Sequence, residues 1–243
     1  MKKTFIILSI FAFIASSCGQ KSNKQTNTGN YEENTIDDLK PSEISQVSEF
    51  KTFALDFGFK VTVGEEEDFK SFKTYTYFKL ERNNSIVYFD NSRKEYEFGN
   101  KLFPMILKTG NNSFELLFEI NARPSKNYLK RLFVSNDKLV EQDELPTFET
   151  KPIDINNDGI KEYAGFWDDS ETWGENYSLT AYNPILYYSV TKTGLKLDSA
   201  LTKQRNEIIY GQFYGFSFNE TIEMPISVID KFEEELKIIR SGR

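Results

Sequence analysis

Residues 154–162 read Asp154-Ile155-Asn156-Asn157-Asp158-Gly159-Ile160-Lys161-Glu162, with oxygen-bearing side chains at alternate positions, glycine sixth and a carboxylate ninth. Alternate side chains converge on one point only if the backbone wraps around it, and glycine permits the positive φ of so sharp a turn. Asp154, Asn156, Asp158 and Glu162, with the Ile160 carbonyl and water, form a hard oxygen set suited to Ca²⁺ rather than zinc or copper. The alternative is a polar turn held by Asx hydrogen bonds without an ion. Outside the cytosol even a site of about 10⁻⁴ to 10⁻³ M would fill, and binding would staple the fold.

A second chemical stretch follows at once. Residues 166–177 contain both tryptophans, with Asp168, Asp169, Glu171 and Glu175 between and beside them. Trp167, Trp173 and Tyr177 are residue types that anchor protein partners or sugar rings. The competing assignment ends a core strand at Trp167 and leaves the acids solvated. Asp168 or Asp169 is also placed to complete the coordination of an ion.

Composition removes most other chemistry. The 243 residues include no histidine and one cysteine, which excludes Ser-His-Asp and Cys-His nucleophile systems and His-ligated zinc or haem. Glycoside hydrolysis needs only two carboxylates, but no pair stands out, and a non-enzymatic protein is expected. A formal net charge of −7 without a basic patch argues against nucleic acid as a partner.

The 154–162 loop matches the front half of an EF-hand calcium loop, but its twelfth position is Gly165 and no helical pattern enters it. It more closely resembles the Asp-x-Asn-x-Asp-Gly loops of FG-GAP and integrin-type repeats and of dockerins, over about a dozen residues. The motif occurs once, whereas a propeller would need several copies. With the downstream segments Asn183–Val190 and Lys192–Asp198, the loop is similar to the calcium-loop periplasmic lipoproteins related to lysozyme inhibitors. Some of these act as immunity proteins against secreted cell-wall-cutting effectors, and the resemblance implies a binding or inhibitory role.

The N-terminus carries an address. Lys2 and Lys3 precede an apolar run from Phe5 to Ile14, too short for a membrane span of about 20 residues, and small residues then lead to Cys18. Residues 1–17 read as a signal peptide. Ile14-Ala15-Ser16-Ser17-Cys18 resembles the lipobox of bacterial lipoproteins, which implies cleavage before Cys18 and acylation of its thiol. Loss of Lys2 and Lys3 would deepen the net charge from −7 to −9. A lone cysteine forms no internal disulfide, so packing or a bound ion must hold the exported domain. The expected location is the cell envelope, lipid-anchored at the outer membrane or cell surface.

The elements that would position these groups follow from periodicity. Residues 18–48 are polar and read as a lipidated flexible tether, and residues 49–243 as a single β-rich domain. Phe53, Leu55, Phe57, Phe59, Val61 and Val63 alternate as one half-buried strand. Hairpins are expected around Glu81–Ser85, Thr109–Ser113 and Ser135–Lys138, and further strands at 177–182, 185–190 and 195–197. Ile229, Phe232, Leu236 and Ile239 predict one amphipathic C-terminal helix that covers the sheet. The expected architecture is mainly β, an antiparallel sandwich or an incomplete propeller-like domain. The function expected is a membrane-anchored, calcium-stabilised binding or inhibitory module with a protein or glycan ligand, or alternatively a surface glycan-binding lipoprotein.

Overall fold

Alternating apolar residues from Phe53 onward form strands, but two rather than one. In the computed structural model, which describes residues 49–99, 101–169 and 171–242, β1 (Lys51–Ala54) and β2 (Phe59–Asp68) pair antiparallel. A 3₁₀ turn at Asp56–Gly58, with Phe57 at φ 58°, reverses the chain and breaks the expected single strand. The leader, Cys18 and the tether lie outside the described residues.

Next come β3 (Lys73–Arg82), β4 (Ser85–Asp90) and β5 (Tyr96–Glu97). The β3–β4 turn places Asn83 and Asn84 at φ 50° and 63°, the left-handed pair that tight hairpins favour. β6 (Met105–Gly110), β7 (Ser113–Ile120), β8 (Tyr128–Ser135) and β9 (Lys138–Pro146) form the two further hairpins expected. All nine strands share one antiparallel sheet, ordered β1-β2-β3-β5-β7-β8-β9, with β4 on β3 and β6 on β7.

The remaining strands are β10 (Glu162–Gly165), β11 (Thr172–Trp173), β12 (Leu179–Tyr182), β13 (Leu186–Thr191), β14 (Gly194–Leu197) and β15 (Asn219–Pro225). They build two small antiparallel sheets, β10-β13-β14 and β11-β12-β15. Two α-helices complete the described residues, α1 (Ser199–Tyr210) and α2 (Val228–Ser241). The protein is therefore mainly β with antiparallel sheets and a C-terminal helix, as expected, and the described strands form no closed barrel.

The layers stack through β7 and β8, which are buried on both faces. On one face Phe114, Leu116, Phe118, Leu132 and Val134 meet Phe59, Val61, Phe78 and Leu80 of β2 and β3. On the other, Leu117 and Leu129 meet Tyr163, Leu186, Tyr188 and Leu195 of the β10-β13-β14 sheet. The far face of that sheet, with Ala164 and Tyr187, is covered by Leu201 and Ile209 of α1 and by Phe232, Leu236 and Ile239 of α2. Burying side chains of this size contributes about 1.5–3 kcal/mol each.

Helix α1 was not expected from the sequence, because its buried face is partly polar. Thr202 Oγ1 accepts from Tyr187 N at 3.1 Å. The Asn206 side chain accepts from Ile185 N and donates to Ile185 O, at 3.0 and 2.7 Å. These bonds satisfy strand backbone where an apolar stripe would leave it unpaired. Asp198 caps the helix by accepting from Leu201 N, and Gly211 closes it at φ 76°.

Candidate metal centre and ligand cleft

The neck of the 154–162 loop is closed by two backbone hydrogen bonds between Ile153 and Glu162, at 3.0 and 2.8 Å. Inside it the chain wraps as the spacing requires. The Asp154 carboxylate accepts from Asp158 N and Gly159 N at 3.1 and 3.0 Å. The Asn156 side-chain oxygen also accepts from Asp158 N, and Asp158 Oδ1 accepts from Ile160 N at 2.7 Å. Asn157 at φ 61° and Gly159 at φ 87° supply the left-handed steps. These are the Asx bonds of a polar turn, and among the described residues no three His, Cys, Asp or Glu side chains are gathered into a ready metal cluster. Each carboxylate nevertheless keeps lone pairs beyond those used by the N–H groups.

Glu162 is the exception to this self-sufficiency. It opens β10 with its side chain only 1% exposed. One carboxylate oxygen accepts from Ile155 N at 3.2 Å, while Oε1 has no hydrogen-bond partner among the described residues. Burial, reinforced by the negative charges of Asp158, Asp154 and Asp198, pushes its carboxyl above the usual carboxylate range. A buried charged oxygen left without a partner costs upward of about 1–3 kcal/mol. A hard cation at the loop would answer this oxygen and oppose the surrounding negative charge. By donor chemistry, Asp154, Asn156, Asp158, Glu162 and the Ile160 carbonyl are the oxygens that would hold calcium.

Asp168 and Asp169 follow β10 rather than the loop itself. They line a separate cleft, and the distant acid whose charge bears on Glu162 is Asp198, the cap of α1. Nothing in the local sequence around Glu162 signals this. Asp198 arrives because its N–H bonds Tyr187 O, carrying the end of β14 alongside β13, which also pairs with β10.

The aromatic residues of 166–177 divide. Trp167, two residues past the end of β10, is partly buried against the core that Leu117 and Leu129 share with the β10-β13-β14 sheet. Tyr177 is 71% exposed in a 3₁₀ turn and does not line the cleft. Trp173, held on β11 by pairing with Leu179, does line it. The cleft measures about 510 Å³ and gathers Trp173 and Phe218 with Asp168, Asp169, Glu171 and Glu220. None of these four carboxylates has a cation within ion-pair distance among the described residues.

A neighbouring hollow of about 560 Å³ shares Pro124, Ser125 and Asp169 with the cleft. There Lys126 pairs with Glu149 at 2.5 Å and stands 3.1 Å from the ring centroid of Phe166. Arg240 reaches the same Glu149 at 2.8 Å. Burial pushes the Lys126 amine down, and its carboxylate partner opposes that shift. Lys126 also feels the charge of Asp169, so this hollow brings a cation toward one acid of the cleft, while Asp168, Glu171 and Glu220 have no cation within ion-pair distance among the described residues. No family model, curated protein or solved structure matches the chain.

Proposed function

We propose that the protein is a lipid-anchored module of the cell envelope whose β-domain is stapled by calcium and binds a ligand at the Trp173 cleft. The observation that carries this reading is the buried, unpartnered Oε1 of Glu162 behind the Asp154–Gly159 turn. Supporting it are the lipobox-like segment ending in Cys18 and the absence of any other thiol to form a disulfide.

The cleft supplies the binding role. An aromatic face beside carboxylates that form no ion pair among the described residues suits a partner that presents basic side chains, since cations are attracted both to the acids and to an indole ring. This favours a protein ligand and an inhibitory or immunity-like role. The surface glycan-binding alternative draws on the same residues, because carboxylates accept hydrogen bonds from sugar hydroxyls and indole stacks on sugar rings.

Calorimetric titration of the full chain with calcium tests the staple. Binding heat is expected in the wild type and none in Asp158→Ala, whereas absence of heat in the wild type would remove the reading. Incubation with peptidoglycan separates the roles: retention without release of reducing sugar is expected of a glycan binder, and release would mean hydrolysis.

A further inference from the structure

The outer face of the N-terminal strands carries an aromatic surface that no other element covers among the described residues. Phe50 lies where the chain enters β1, with its ring on Gly64: a Cβ at that glycine would stand 2.6 Å from the Phe50 ring. The ring contacts Tyr77 edge-on at 4.7 Å, and Tyr77 contacts Phe89 at 5.4 Å, so the three form one run across β2, β3 and β4. Register places Phe89 opposite Lys79, and Ile86 opposite Glu81. Phe50, Phe89 and Ile86 are 55%, 48% and 62% exposed. Lys60 and Lys79 lie on the same face, the latter paired with Glu81 at 3.0 Å.

Large aromatic rings with lysines beside them suit a water–lipid boundary, where rings enter the headgroup region and ammonium groups stay hydrated. We propose that this face, Phe50, Tyr77, Ile86 and Phe89 with Lys60 and Lys79, is the surface on which the anchored domain rests against the lipid bilayer. The occupant follows from where the tether ends. Phe50 immediately precedes β1 and is part of the face, and 30 residues separate Glu49 from Cys18. With an acyl group on Cys18, contact of this face with the bilayer becomes an intramolecular event. Contacts too weak to recruit a free protein would then be occupied. The inference rests on acylation of Cys18, and it adds which side of the domain faces the lipid and which remains free for a ligand.

The test uses the full chain purified from membranes, with intact mass reading the state of Cys18. Acylation blocks that thiol, so Ile86→Cys or, as a reference on β9, Val140→Cys provides a single site for an environment-sensitive fluorophore. Reconstituted in phosphatidylethanolamine and phosphatidylglycerol vesicles containing doxyl-labelled lipid, the label at position 86 is expected to be quenched several-fold more than the label at 140. Adding Phe50→Ser and Phe89→Ser should abolish the difference. Equal quenching at both positions in the acylated chain would overturn the docking face while leaving the anchor intact. An unmodified Cys18 would overturn the anchor and the inference with it. A concentration-dependent blue shift at position 86 without quenching by lipid would assign the face to a second copy of the chain and likewise overturn the proposal.

Discussion

The Glu115 carboxylate occupies the space that a side chain at Gly194 would need: a Cβ there would lie 1.9 Å from Glu115 Oε1. That carboxylate is fully buried, paired with Arg131 through bonds of 2.8 and 2.6 Å, and accepts from Leu195 N at 3.0 Å. It ties β7 and β8 to β14, and so holds the large sheet against the sheet that contains Glu162. Gly194 also sits at φ 104°, a conformation costly for any other residue. Gly194→Ala is expected to destabilise the domain by about 3 kcal/mol or more, as breaking a buried ion pair does. Chemical denaturation of the full chain measures it, and a loss within a few tenths of a kcal/mol would contradict this account of how the layers are joined.

A second buried pair predicts how the helical layer is held. Glu235 of α2 accepts from Tyr187 Oη at 2.6 Å and from Arg205 Nε at 2.8 Å, linking both helices to β13. Glu235→Ala should cost about 3–5 kcal/mol, because it leaves Arg205 and the tyrosine hydroxyl without their partner. Amide exchange in residues 199–210 should accelerate with it, and unchanged protection there would contradict the link.

Acid sensitivity is predicted at the strand ends. Hydrogen bonds from Lys51 and Lys73 hold the Glu66 carboxyl down at about 2. A carboxyl depressed on folding adds stability that is complete above the ordinary carboxylate range and is lost as pH falls toward 2. Glu66→Gln should therefore lower the melting temperature near neutral pH, with the difference from wild type shrinking as pH falls below about 4. A difference independent of pH would contradict it.

Ligand capture should depend on Trp173 but not on Trp167 in the same way. Trp173→Ala is expected to weaken capture of an envelope partner by about 2 kcal/mol or more, in the range of an interface anchor, with little change in melting temperature. Trp167→Ala should instead cost stability, since its ring packs against the core. Pull-down and thermal melting of both variants check the division.

Much of this architecture is visible in the residues themselves, because hairpins with Asn-rich turns and alternating strands declare their period locally. Glu115 and Glu119 hide the double burial of β7, since a strand with two acids reads as half solvated until Arg131 and Asn127 arrive from elsewhere in the fold. Thr202 and Asn206 hide α1 in the same way. The 154–162 loop is legible because its geometry is local, whereas the approach of Asp198 to Glu162 and of Phe218 to Trp173 depends on strand pairing and packing that no local pattern encodes.

The most direct measurement compares Glu162→Gln with wild type in calcium and in chelator. Calcium at about 100 times Kd should stabilise the wild type by about 2.7 kcal/mol, several degrees in melting temperature. Removing a buried charge should leave Glu162→Gln no less stable than wild type in chelator, while its response to calcium is largely lost. Equal destabilisation in both conditions, or a wild type indifferent to calcium, would contradict the proposal that this carboxylate awaits a cation.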